Sequence, residues 1–428
     1  VMPLLYLLNV LLLLGLGLQL HKQAWAKALQ PYMLPALGLK LLCGVLLGVL
    51  YFHYYGEGDT ITYFNASQKL TQLAHENSGA YWRLLLFNQF PSETFRATVP
   101  FTQFADFSNS FFLLKVLSLF NLLTGSSYYL IGLYFSLFSF WGMARLAATL
   151  SFVFPDTKKA AILALLFFPS VVFWSSGLLK DAVLMGSMCW VMASVLQLAH
   201  GQKQTIVTWL LLPLQLYLFV KIKIFFAALL LSLLTCYLVL KVLSRTIKPL
   251  QALKVQLLIL AGFMALAIVT VWQISGIFSF DFIAEQLFKT YKGLLALSLG
   301  RPHLHYSSLQ PTLASIVLNA PKAFFSAIYR PFIGESSEVL YLLLGLENLL
   351  LAVLTTIAIV SASSKIWLQK IELWHIILVL FIVASAIVVG ISTPNFGTLS
   401  RYRIIFLPFL VYLLLQNRFA QRQLAKLR

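Results

Sequence analysis

The chain has 428 residues, of which 60% are hydrophobic and 10% charged, with a mean hydropathy of +0.87; long apolar runs recur in every region, which excludes a soluble domain and indicates an all-α polytopic membrane protein. The formal net charge of +18 invites a nucleic-acid partner, but most of it falls in segments that the membrane charge rule assigns to the cytoplasmic side, so no nucleic acid is expected. Three cysteines, Cys43, Cys189 and Cys236, sit inside apolar runs at unrelated spacings and suggest neither a disulfide framework nor a metal site.

Placing loops by their lysine and arginine content gives eleven spans, at 3–20, 33–53, 127–149, 160–177, 184–199, 205–220, 224–243, 255–275, 338–361, 373–391 and 402–417. The N-terminus is then outside and the C-terminus cytoplasmic. The first run, Pro3 to Leu20, lacks a basic start and a small-residue cleavage site, so it is read as a span and not a cleaved leader. Inside fall Lys22, Lys27, Arg145, Lys158, Lys159, Lys203, Lys241, Arg245, Lys248, Lys254, Lys365, Lys370, Arg418, Arg422, Lys426 and Arg428, against the acids Asp156 and Glu372. The chain divides into a transmembrane module at 1–243, with outer loop 55–126, and a C-terminal region at 244–428, with outer loop 276–337. The basic tail 418–428 reads as an anchor on anionic lipid.

In chain order, two spans deliver the chain outside at Tyr54. The stretch Tyr54-Tyr-Gly-Glu-Gly-Asp-Thr-Ile-Thr-Tyr63 carries Glu57 and Asp59 between glycines. The bland reading is a polar turn ending a helix; the functional one is a catalytic carboxylate. Within the long loop that follows, Ile61 to Leu73 has apolar residues at helical spacing and Phe111 to Leu123 is apolar but short. Both are expected as helices lying at the membrane surface. Were 111–123 to cross, the basic segment Arg145 to Lys159 would face outward, against the charge rule.

Lys180 and Asp181 then emerge on the outer face after Phe168-Pro-Ser-Val-Val-Phe-Trp-Ser-Ser-Gly-Leu-Leu, and Lys221 and Lys223 mark a later outer hairpin. The second long loop, from Ser275 to Ser337, carries Arg301, His303, His305, Lys322 and Arg330, and Pro321 to Phe332 reads as another surface helix. Arg401 and Arg403 lie at the outer mouth of the last span. Glu347 and Lys40 fall within spans, each near enough to an end to reach the interface. His303 and His305 without a third ligand are weak evidence for a metal.

An outer site beside spans can draw a lipid-linked substrate from the bilayer. Its phosphate calls for Arg or Lys: Arg401, Arg403, Lys180, Lys221, Lys223, Arg301 and Arg330 are the candidates. A carboxylate must take the proton from an attacking hydroxyl, for which Asp59 is the first candidate, with Glu57 and Asp181 as companions. The glycines around Asp59 leave room for a bulky acceptor.

The order of these features resembles the GT-C superfamily of integral-membrane glycosyltransferases, of bacterial type. Gly58-Asp59 followed by Tyr63 and Ala66 is similar to their first-loop acidic motif, Phe111 to Gly125 to their juxtamembrane helix, and Ser400-Arg-Tyr-Arg-Ile-Ile-Phe-Leu-Pro408 to an arginine-bearing late span. The resemblance implies transfer of a sugar from a polyprenyl-(pyro)phosphate donor to an acceptor on the extracytoplasmic face of the plasma membrane, with inversion and with Asp59 as base. Several members carry an acid pair with Asp first; here Glu57 precedes Asp59, which leaves the use of a divalent metal (Mg or Mn) open. The partners implied are the lipid-linked donor, membrane lipids and protein subunits of an envelope-glycan assembly complex. A polysaccharide polymerase or ligase on lipid-linked glycans, a transporter-like protein and a non-catalytic membrane scaffold are the alternatives.

Overall fold

The computed structural model describes residues 2–98, 101–274, 279–362 and 371–426. Lys365, Lys370 and Arg428, counted above on the inner side, and Ser275, the start of the second loop, lie outside them. Among the described residues all named elements are helical, and the one β feature is an isolated bridge between His303 and Asn395. The chain forms two compact units: 1–149 with 172–193 and 205–227, and 150–171 with 194–204 and 228–428. They are interleaved in sequence.

The helices run α1 Met2–His21, α2 Met33–Val49, α3 Asp59–Glu76, α4 Ser78–Phe87, α5 Asn109–Thr124 and α6 Tyr128–Val153. Then come α7 Pro169–Trp174, α8 Lys180–Ala199, α9 Ile206–Ile222, α10 Ile224–Leu243, α11 Leu253–Ile274 and α12 Phe280–Ala296. The last are α13 Leu313–Tyr329, α14 Val339–Ala362, α15 Leu373–Ser392, α16 Phe396–Tyr402, α17 Leu407–Leu414 and α18 Arg418–Lys426.

Eight of these segments are long and apolar enough to cross a membrane, and they coincide with eight of the eleven expected spans. The other three differ in form. The 160–177 segment is a helix Lys158–Ile162, a π-turn Leu163–Phe167 and, after a break at Phe168, the short α7. Pro169 causes the break, because it disfavours helical backbone at the residue before it, and Phe168 is extended (φ −67°, ψ 124°). The 205–220 segment is the 17-residue α9 with Pro213 inside. The last segment is a pair of helical stretches, Phe396–Ile405 and Leu407–Leu414, bent by 67°.

In the first unit, the long segment after α2 folds into a small helical layer. Ala66, Leu70 and Leu73 of α3 face Phe111 and Leu114 of α5, and Ala80, Tyr81 and Leu84 of α4 close the same core. Asn121 of α5 donates to Ser67 (2.9 Å) and Thr71 (3.1 Å), so the contact is keyed by hydrogen bonds as well as by apolar burial. Lys115 donates to the Leu85 carbonyl (2.8 Å) and to Asn88, filling acceptors at the C-terminal end of α4. Both stretches, 61–73 and 111–123, are helical, and their apolar stripes meet each other and α4.

In the second unit, α13 lies against α15 so closely that a Cβ on Gly390 would strike the carbonyl of Ala323. Tyr306 donates to the Gly390 carbonyl at 3.0 Å and ties the second loop to the same helix. The expected 321–332 helix starts earlier, at Leu313, and carries Pro321 within it.

Candidate functional site

The acidic stretch is set by two left-handed or otherwise glycine-only backbone positions. After α2 a π-turn, Leu50–Tyr55, ends at Gly56 (φ +69°), and Gly58 (φ +143°) precedes α3. A Cβ on Gly58 would lie 2.7 Å from the Tyr51 ring, so glycine is needed there for space as well as for conformation. Asp59 therefore starts α3, where the helix dipole favours a carboxylate. Tyr51 donates to Asp59 Oδ1 at 3.4 Å. Asp59 is half-buried and Glu57 is exposed. Tyr128 donates to Thr60 (3.0 Å), and Phe52 packs edge-on to Tyr128, so aromatic rings flank the turn.

One helical turn beyond Asp59, Tyr63 meets Lys180. The Lys180 Nζ lies 4.5 Å from the centre of the Tyr63 ring and donates to Ser110 (2.7 Å) and Asn109 (3.1 Å). The Tyr63 hydroxyl is 3.3 Å from Ser110 Oγ. Asn109 in turn donates to the Ile222 carbonyl (2.9 Å), and Lys221 donates to the Phe107 carbonyl (2.9 Å). The starts of α3, α5 and α8 and the end of α9 thus converge, and Asp59, Lys180, Lys221 and Lys223, all expected from sequence, lie on these ends. Asp181 is buried in the first turn of α8 (2% exposed), which suits it to holding that helix end rather than to meeting a substrate.

The four arginines belong to the second unit. Arg403 is fully buried; its guanidinium donates to Glu347 (2.8 Å), Asn348 (2.5 Å), the Ile328 carbonyl (3.4 Å) and Ser170 (3.4 Å). Glu347 also accepts from the Ser170 N–H at 2.9 Å. The ion pair closes inside the protein, so Glu347 does not reach the interface as its sequence position suggested, and Arg403 is already committed to a carboxylate. Arg330 is paired with Glu335 and lies over the Phe396 ring at 5.0 Å. Arg401 is buried beside Tyr402, and Arg301 is exposed. A cavity of about 760 Å³ opens beside Phe325, Tyr329, Arg330, Ile333, Asn348 and Thr355.

Among the described residues no three His, Cys, Asp or Glu side chains gather as metal ligands. The backbone of His303 is engaged instead in the bridge to Asn395.

No family model, curated protein or solved structure matches the chain.

Sequence reasoning missed Tyr51, Asn109, Ser110 and the pairing of Glu347 with Arg403. Lone polar residues in apolar runs were the available signal for Lys40 and Glu347. Asn109 and Ser110 gave none, because only the fold brings them to Lys180.

Proposed function

We propose that the chain is a membrane glycosyltransferase of GT-C type that moves a sugar from a polyprenyl-(pyro)phosphate to an acceptor hydroxyl on the extracytoplasmic face. The observation that carries this reading is the placement of Asp59 at the start of α3, after a glycine turn and one helical turn before Tyr63, over whose ring Lys180 is fixed. A carboxylate and a cation so arranged match the two charges that the transfer develops.

The acceptor oxygen attacks the anomeric carbon as the bond from that carbon to the phosphate oxygen breaks. The electron pair leaves with the phosphate, and the acceptor proton passes to the Asp59 carboxylate. Lys180, with Lys221 and Lys223 on the adjoining helix end, offsets the charge that builds on the leaving phosphate. Among the described residues no three His, Cys, Asp or Glu side chains gather as ligands, and no step is routed through a divalent cation. The second unit's arginines are assigned none either. The finer topology of eleven spans, N-terminus outside and C-terminus inside, belongs to the same proposal: α9, about 26 Å long at 1.5 Å per residue, and the bent α16–α17 pair supply two of the additional crossings.

Asp59→Asn in a strain lacking the native gene tests the reading, with mass spectrometry of lipids that co-purify with the wild-type chain. The expected outcome is a polyprenyl-phosphate species in the wild type and loss of glycan product in the variant, by about 10²-fold or more for removal of a general base. A normal glycan profile in Asp59→Asn, together with no such lipid, would sink it. An arginine-driven polymerase would instead tolerate Asp59→Asn.

A further inference from the structure

Lys40 lies inside α2, roughly 10 Å along the helix from Met33, and is 2% exposed. An amine at that depth of an apolar span is costly unless it is bonded. Its Nζ donates to Ser175 Oγ at 2.5 Å and to the Val172 carbonyl at 3.4 Å, and lies 3.6 Å from Met143 Sδ. Val172 is in the last turn of the short α7, and its carbonyl accepts from the Ser176 hydroxyl at 2.6 Å as well as from Lys40. The two oxygen acceptors therefore lie at the end of α7 and at the first residue of the bend that leads from it into α8.

That bend, Ser175 to Leu179, is buried throughout. Ser136 of α6 accepts from the Gly177 N–H at 2.8 Å. Gly177 sits at φ +65°, where a Cβ would come within 2.6 Å of Leu47 and 3.2 Å of the Gly44 carbonyl of α2. The bend is thus wedged between α2 and α6, and Lys40 supplies the side chain by which α2 grips it. The next residue is Lys180, whose amine is fixed on Asn109 and Ser110.

We propose that Lys40 is a positioning residue: its buried amine pins the Ser175–Leu179 bend and so sets the place from which Lys180 reaches the outer site. It touches no substrate. Its bearing on catalysis rests on the transfer reading above, whereas its hold on the bend does not.

The test is thiol accessibility at the bend in membranes carrying the full chain. Ser176 is fully buried, and the native Cys43, Cys189 and Cys236 are buried too. Ser176→Cys is treated with a membrane-permeant maleimide, and the labelled peptide is identified by mass spectrometry. Labelling is expected to be slow alone and at least about tenfold faster with Lys40→Met, the factor that accompanies loss of a charge-assisted hydrogen bond. Lys40→Arg, which keeps a cation and its donors, should restore slow labelling in part. Leu117→Ala, a core truncation in α5, is the control matched for loss of thermal stability. Equal acceleration in that control, or unchanged labelling with Lys40→Met, overturns the proposal. If Lys40→Met yields too little folded protein, Ser175→Ala removes the acceptor alone and is read the same way, with a rise of several-fold expected. The readout needs no sugar donor. A normal glycan profile in Asp59→Asn alongside an opened bend would therefore remove the transferase reading and leave this one standing.

Discussion

Arg403 and Glu347 show how a residue's chemistry depends on what surrounds it. On sequence alone an arginine at a span's outer mouth suits a phosphate, and a lone glutamate near a span's end can reach water. In the fold each is the other's counter-ion: the Arg403 side chain is 0% exposed and that of Glu347 8%. Truncating one partner of a buried pair strands the other charge, which costs about 3–5 kcal/mol. Glu347→Leu should therefore lower the thermal midpoint in detergent sharply, and Glu347→Leu with Arg403→Met should recover most of the loss. A double variant no more stable than Glu347→Leu alone would show that the pair is not what holds these helices. Lys115 offers a second residue-level test, outside the spans. Burial, reinforced by Lys221 and opposed by Asp106, lowers its pKa from 10.5 to about 8. The unfolded chain then binds a proton that the folded chain releases between those values, so stability should rise as pH increases from about 8 to 10.5. Thermal midpoints measured across that window should lose this rise in Lys115→Met.

At the scale of elements, breaks in helices place the polar groups. Gly56 closes the π-turn after α2 and Gly58 immediately precedes α3, yet they differ in what they tolerate. A Cβ on Gly56 meets nothing within 4 Å, so Gly56→Ala should cost only the backbone conformation, about 1 kcal/mol. Gly58→Ala adds a collision with Tyr51, which itself bonds Asp59, and should cost more and disturb the site. Thermal melts of the two variants, with lipid co-purification as the functional readout, separate the cases; equal effects would remove the special role of Gly58. Of the site, the acidic turn and its glycines were legible, because Gly-x-Gly around an acid at the end of an apolar run is a local pattern. The pairing of α3 with α5 was not. Both stripes were visible, but nothing local says whether an amphipathic face meets lipid or another helix, and α4 between them carried no clear start signal beyond Asn77, which caps it through the Ala80 N–H.

For the whole molecule, sidedness is the property on which the functional reading turns. Gln68 of α3 and Ser307 of the second loop are exposed, as is Lys203 between α8 and α9. Ser67, beside Gln68, is fully buried and would report burial rather than side. Single cysteines at 68 and 307 should react with an impermeant maleimide added from outside intact cells, and a cysteine at 203 only after the membrane is opened. Inner labelling at 68 or 307 would break the proposed topology.

The sequence by itself determined that the chain is helical and rich in membrane-length segments. The hydrophobic effect and the need to satisfy backbone groups in lipid act on composition and run length, and both are written locally. It also located the glycine turn at Asp59, since a left-handed backbone position selects its residue directly. Tertiary structure alone decided which charges are available. Arg403 closed on Glu347, Arg330 closed on Glu335, and Lys40 turned inward to Ser175 while Lys180 met Tyr63 and Ser110. Apart from the local Arg330–Glu335 pair, these outcomes depend on partners tens to hundreds of residues away in sequence, because in a low-dielectric interior a charge settles on whichever distant partner the packing brings within bonding distance.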